Sequence, residues 1–571
     1  MKRSVGWKAA AVGAAAAGLL GTTLSLSAGA GAAPGDTAKH VLLISVDGLH
    51  ASDLVTCEAN AAANKPGGCP TLANLAGHGT TYANAHASEP SDSAPGLMAL
   101  VTGGDPKLTG VYYDDSYDRT FYPPPAQIPS GDQDCAGPAG AEAAYFENLD
   151  YGAPTAQNPN GPNRPIMNAT LDSSQYDYTK AGGKCVPVSA SDVLRTNSIF
   201  SVAHQAGLYT AWADKHPVYN AEIAGHGTPD AVSDPFNTEI NADIVPPAIT
   251  DTRGTTVTFN PDNPDGSGPF FITDSMQNVE SYDQIKVDAI LNEIDGFNSA
   301  HTTKAPVPAI FGMNFQTVSV GQKLVRTDCR TAPCAGYTPG GYEPGSTSAS
   351  PIFTPQLSGG VEFVDSSLKS MVHELNAKGV LASTTIIITA KHGQAPIDPS
   401  TLHKIGSAEQ DVLTNAGVNA AQVTDDDVAL IWLKDQSQTA KAVDALNADK
   451  TGANTAHIQT VLSGDQLADQ FNSPAKDSRT PDIIVEPIPG TIYSKSKAKV
   501  MEHGGFADDD THVALLVVNG ANILNNKTGD GTSNDAVRTY QVAPTILSLL
   551  GLNPNKLDSV RTEGVKVLPD L

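Results

Sequence analysis

Six short runs along the chain are apolar at nearly every position instead of every second one: HVLLISVDG (40–48), GLYTAWAD (207–214), PAIFGMNF (308–315), TTIIITA (384–390), PDIIVEP (481–487) and HVALLVV (512–518). Strands covered on both faces have this pattern, whereas half-exposed strands alternate. Between the runs the period becomes helical. In 361–378, Val364, Leu368, Met371, Val372 and Leu375 share one face before Gly379 closes the element. The alternation predicts an α/β fold with a mostly parallel central sheet and helices on both faces.

Stretches at about 114–190 and 225–280 are rich in Pro, Gly, Asn and Asp, which predicts loop-rich insertions above the sheet. The segment 400–480 holds DDDVALIWL (425–433) and a helical QTAKAVDALNAD (438–449), so a small α+β insertion is expected there. The 571 residues suffice for several domains, or for one large catalytic domain, 34–571, carrying these insertions. Residues 1–33 read as an export signal. Lys2, Arg3 and Lys8 precede an Ala/Leu/Gly-rich run that ends in small residues suited to cleavage. An extracellular protein is expected. No later stretch is apolar for long enough to span a bilayer, so no membrane anchor is expected.

Six cysteines fit an oxidising compartment, and sequence neighbours suggest Cys57–Cys69, Cys135–Cys185 and Cys329–Cys334 among fifteen pairings. The formal charge of −26 excludes sequence-general binding to nucleic-acid polymers, whose phosphates an acidic surface repels. A small phosphorylated or sulfated substrate remains compatible, because a local cationic pocket overrules the global sign. Nothing in the pattern sets an oligomeric state.

Ligands of open parallel sheets collect beyond the carboxyl ends of the strands. The first run ends in Asp47-Gly48 and the run at 384–390 in Lys391-His392-Gly393; Glu502-His503-Gly504-Gly505 precedes the last run. After the first run comes SDSAPGLMALVTGG (91–104), in which Pro95 opens a helix and places Ser93 at its N-terminus. Free N–H groups there stabilise an anion or alkoxide, although serine at that place also serves as a plain N-cap.

Taken in order, these motifs resemble the alkaline phosphatase superfamily, most closely its type I phosphodiesterase/nucleotide pyrophosphatase branch. SAPGLMALVTGG with TGVYYDDSYD follows that branch's nucleophile stretch, and QVAPTILSLLGLNP (541–554) resembles the closing helix. The resemblance implies Ser93 as nucleophile, Asp47, Ser93 and His392 as ligands of one divalent metal ion, and His503 as a ligand of another. It also shows departures. Lys391 stands where the family has Asp, and the middle ligand pair falls on Val318 and Gln322. Gly96 replaces the Asn that follows the proline. A single ion, zinc ahead of calcium or manganese, is therefore expected rather than two.

Asp214-Lys215-His216 resembles a lysine motif of sulfatases in the same superfamily, which makes Lys215 and Lys391 candidate catalytic cations. His50, His216 and His512 carry weaker signals, and Asp508, Asp509 and Asp510 are held in reserve as replacement ligands. The function expected is a secreted hydrolase of phosphate esters. The alternatives are a sulfatase-like enzyme, a metal-independent serine hydrolase activated by His392 or His503, and a non-catalytic binder of anions.

Overall fold

The computed structural model describes residues 38–571 apart from 129–130, 132, 144–148, 150–163, 244, 261–270, 326–339 and 497. The expected export segment and the Cys329–Cys334 pair lie outside the described residues. Eight strands form one sheet: β1 (His40–Val46), β2 (Thr80–His86), β3 (Ala211–Ala213), β4 (Asp234–Phe236), β5 (Ile310–Phe315), β6 (Thr384–Thr389), β7 (Leu515–Asn519) and β8 (Gly531–Arg538), in the order β8-β2-β7-β6-β1-β5-β3-β4. All neighbours pair in parallel except at β7, which runs antiparallel to β6 and β2.

β1 lies at the centre, and its alternate residues feed two cores. Leu42, Ile44 and Val46 pack with helices α2 (Met276–Ile294) and α3 (Pro355–Ala377), while Val41 and Leu43 pack with α1 (Ser93–Thr102) and α4 (Val542–Leu549). Continuous apolarity in these strands therefore reflects helices on both faces.

The run 481–487 corrects the strand assignment. Ile483–Pro487 pairs antiparallel with Ala429–Leu433 and Ile458–Ser463 in a separate four-stranded sheet. A buried centre strand of a small sheet and a buried strand of a large one look alike in hydropathy, so the pattern alone cannot assign it. Cys57–Cys69 and Cys135–Cys185 are disulfide-bonded. No helix among the described residues is long and apolar enough to cross a membrane.

Ile44 is fully buried in β1, the strand that leads to Asp47. Ile44→Ala should lower unfolding free energy by about 2–5 kcal/mol, read from chemical denaturation. A loss below about 1 kcal/mol would show that this core relaxes around the cavity.

Candidate active site

Register brings the chemistry together. β1 and β6 pair through Ser45 and Thr389, and each chain turns out of the sheet two residues later, at Asp47 and Lys391. β3 ends beside them and delivers Asp214 and Lys215. Asp47, Asp214, Lys391, His392 and Ser93 are at most 1% exposed, and Lys215 is 7% exposed. Lys391 Nζ lies 3.0 Å from Asp214 Oδ1 and 3.6 Å from Asp47 Oδ2. Asp214 is held from its other side by Trp212 Nε1, which donates to Oδ2 at 3.0 Å. Gln316 Nε2 and Asn314 Nδ2 donate to Asp47 Oδ2 at 2.6 and 3.2 Å. Burial pushes the Asp47 carboxyl up, but Lys391, His392 and Lys215 together outweigh it and hold it well below the usual range.

Ser93 is the first residue of α1. Its cap is Asp92, whose Oδ2 accepts from the backbone N–H of Ala94 at 3.0 Å. The plain N-cap role falls to Asp92, a residue the motif reading passed over although capping preference points to it. The Ser93 hydroxyl is therefore not spent on capping. Its Oγ accepts from Lys215 Nζ at 3.0 Å and lies 3.1 Å from His392 Nε2 and 3.5 Å from Asp47 Oδ2. His392 Nδ1 lies 2.8 Å from the Gly393 carbonyl, which can only accept, so Nδ1 carries a proton and a neutral ring would turn its Nε2 lone pair to Ser93. Gly96 stands one turn into α1 directly against the Lys391 carbonyl, where a Cβ would overlap the backbone. Lack of a side chain at Gly96 is what lets the Ser93 helix approach the Lys391 strand end.

The type I phosphodiesterase/nucleotide pyrophosphatase family model matches residues 41–508. The chain belongs to this family. No curated protein matches it by sequence. Among solved structures, alkaline phosphatase PafA aligns with a TM-score of 0.51 at 14% identity, over 90% of this chain and 96% of that one. Murine ectonucleotide pyrophosphatase/phosphodiesterase 5 aligns with a TM-score of 0.49 at 13% identity, over the same shares of the two chains. The PafA likeness supports an alkaline-phosphatase-like fold.

The structure shows what the side chains expected at a second ion's ligand positions do in this phosphodiesterase-family chain. Val318 is packed in the core. Gln322 Nε2 donates to Tyr342 Oη at 2.8 Å and to the Gly48 carbonyl at 2.9 Å, and its Oε1 accepts from Gln394 Nε2 at 2.5 Å. Tyr342 and His50 both bond Asp53, with His50 Nδ1 2.8 Å from Asp53 Oδ2. Gln322 Nε2 also donates to Asp53 Oδ2 at 3.2 Å, so the side chain is held by a network built on the Asp53 carboxylate. Burial lowers the His50 pKa, but Asp53 more than offsets this and raises it to about 9. His503 meets the His392 ring at 4.1 Å between centroids, and its Nδ1, 3.5 Å from Asp92 Oδ1, has no hydrogen-bond partner. Burial, with Lys323 and His392 nearby, holds its pKa well below the usual value. The reserve carboxylates do not reach this place: Asp508 faces His86, Asp509 accepts from Ile397 N, and Asp510 accepts from Gly505 N.

A donor set for one ion is present. Asp47 Oδ2, Ser93 Oγ and His392 Nε2 form a triangle with edges of 3.1, 3.5 and 3.5 Å. Tetrahedral zinc with bonds of about 2.0–2.2 Å spaces its ligands by roughly 3.3–3.6 Å. Buried Asp47 Oδ1 has no hydrogen-bond partner and adds an available oxygen. Among the described residues, His503 does not group with two further His, Cys, Asp or Glu side chains. Beside the triangle opens a cleft of about 450 Å³, lined by Lys215, Gln316, Lys323, Glu502 and His503 among others.

Two outcomes follow from this geometry. Gly96→Ala should cut turnover at least about tenfold by pushing the Ser93 helix off the Lys391 backbone, and unchanged kcat would show that the helix can shift freely. The His50–Asp53 pair should contribute stability that is complete below about pH 6.5 and is lost as pH rises through about 9. The difference in unfolding free energy between the native protein and His50→Gln should therefore narrow with rising pH; a flat difference would count against a charged His50.

Proposed function

We propose that the chain is an exported phosphodiesterase that attacks phosphorus with Ser93 Oγ, in a site where Lys391 and Lys215 supply charge that a second metal ion provides elsewhere in the family. The observation that carries this reading is the convergence of Lys215 Nζ and His392 Nε2 on Ser93 Oγ at 3.0 and 3.1 Å. Lys215, at the edge of the cleft, is placed to hold the Ser93 oxygen as its proton leaves and to meet a phosphoryl oxygen as charge develops. The N-terminus of α1 adds its dipole at the same point. Lys391 is held by Asp214 and Asp47 and serves as a fixed cation behind the nucleophile. Attack forms a phosphoseryl bond and breaks the ester bond, the departing alcohol taking a proton; water then cleaves phosphoserine and restores the hydroxyl. One divalent ion on Asp47, Ser93 and His392, zinc by its nitrogen and oxygen donors, would supply Lewis-acid activation of that hydroxyl.

Cleft charge favours a diester. Three lysines and six carboxyl side chains line it, so a singly charged phosphate meets less repulsion than a doubly charged one. Burial, with Glu502 nearby, pushes Asp426 up to about 8, which keeps one of those carboxyls neutral near pH 7. Two disulfides fit the oxidising compartment that export implies.

A second reading has its own support. The Nε2 lone pair aimed at Ser93 and the ammonium 3.6 Å from Asp47 Oδ2 also suit a metal-independent Ser93–His392 hydrolase. Chelation separates the two: loss of turnover on a nitrophenyl phosphodiester after exhaustive EDTA, with recovery on adding zinc, is expected from the first, whereas full activity without metal would establish the second.

Ser93→Ala should lower turnover by about a thousandfold or more and Lys215→Ala by about a hundredfold, with thermal midpoints little changed. Unimpaired hydrolysis by Ser93→Ala would remove Ser93 as nucleophile. The kcat/KM on bis(nitrophenyl) phosphate should exceed that on nitrophenyl phosphate at least about tenfold, and the reverse order would point to a phosphomonoesterase.

A further inference from the structure

Away from Ser93, the end of β2 and the turn before β7 bring two imidazoles and a carboxylate together. His86 pairs with His512 across an isolated antiparallel bridge. Their rings stack at 4.9 Å between centroids with 9° between planes. Asp508 lies one helical turn before His512. Its Oδ1 is 3.3 Å from His86 Nε2 and its Oδ2 is 3.6 Å from His512 Nδ1, and the ligand atoms of the three residues all lie within 4.8 Å of one another.

We propose that His86, Asp508 and His512 form a second metal site, for a divalent ion of the zinc class, that acts on the structure of the active-site loops and not on the substrate. Two imidazoles with one carboxylate suit zinc, cobalt or nickel and not calcium, which takes oxygen ligands. His512 is already oriented for this role. Its Nε2 lies 2.8 Å from the Ala83 carbonyl, which can only accept, so Nε2 carries the proton and the Nδ1 lone pair turns to Asp508. Metal-bound histidines characteristically give their other N–H to such an acceptor. The Asp508 side chain is 65% exposed, so it can rotate to draw the imidazoles closer and leave further positions to water.

The turn that the ion would pin holds both loops of the active site. The Asp510 carbonyl accepts from Gly393 N at 2.6 Å, next to His392, and from Ser91 Oγ at 2.5 Å, two residues before Ser93. Ala87 N, one residue past His86, donates to the Thr511 carbonyl at 2.7 Å. An ion joining His86 to Asp508 and His512 closes this set of contacts from outside. A plain surface cluster of His–Asp pairs is the competing description, and it has no preference for nitrogen-seeking metals.

Cobalt(II) titration of the metal-stripped full chain distinguishes the two. A protein carrying Asp47→Asn and His392→Gln, which lacks the donor triangle at Ser93, should still bind one equivalent of cobalt with visible ligand-field absorption, and zinc should raise its thermal midpoint. Adding His86→Ala should abolish the bound equivalent and the thermal shift. Asp508→Asn, at an exposed position that does not threaten folding, should weaken binding at least about tenfold. In the otherwise native chain, His86→Ala should remove one equivalent whatever the total, so the outcome is separate from whether Ser93 turns over phosphate esters. Cobalt binding and thermal shift unaffected by both His86→Ala and Asp508→Asn would overturn the proposal, as would absence of cobalt binding in the Asp47→Asn/His392→Gln protein.

Discussion

An ammonium group with no exposure to water sits between two carboxylates at the heart of this molecule, and the rest of the site is arranged around it. Lys391 could not be buried as a cation without Asp214 and Asp47 beside it, because removing a charge from water costs several kcal/mol unless partners compensate. Asp214 is fixed by Trp212 and Asp47 by Gln316 and Asn314, so the compensation is itself anchored. Here the ammonium is tethered to the chain, and in the proposed reading His392, Ser93 and Asp47 are left to hold one ion.

The change at Lys391 is accompanied by others. Gly96 gives the lysine backbone space against the helix that carries Ser93. Gln322 is recruited by Tyr342, Gln394 and the Gly48 carbonyl, and Val318 is core. His503 is pressed against His392. In the proposed reading, Lys391, Gly96, Gln322 and His503 form one arrangement distributed over four segments. Its effect on chemistry would be to supply positive charge from two amines whose donors can be aimed, Lys391 behind Ser93 and Lys215 beside it.

Much of this was legible residue by residue. Strand ends chosen from hydropathy delivered Asp47, Lys391 and His392, and a helix start marked by Pro95 delivered Ser93, because both signals are local. Other features were not. PDIIVEP could not be assigned to its own small sheet, since a buried strand looks the same in either. Asp92 was overlooked as the cap although it adjoins Ser93, and the ion pair of Asp214 with Lys391 spans 177 positions. The His86–Asp508–His512 cluster joins residues 422 positions apart.

By itself the order of residues determined which groups end the strands and that the sheet is covered on both faces. Those properties are carried by side-chain type and period, which every short segment displays. Tertiary structure alone decided that the Ser93 hydroxyl escapes capping, that His392 turns its Nε2 toward it, and that Lys391 is neutralised from two sides. These are matters of distance and angle between segments far apart in sequence, and only the pairing of β1 with β6 and β5, and of β5 with β3, sets them.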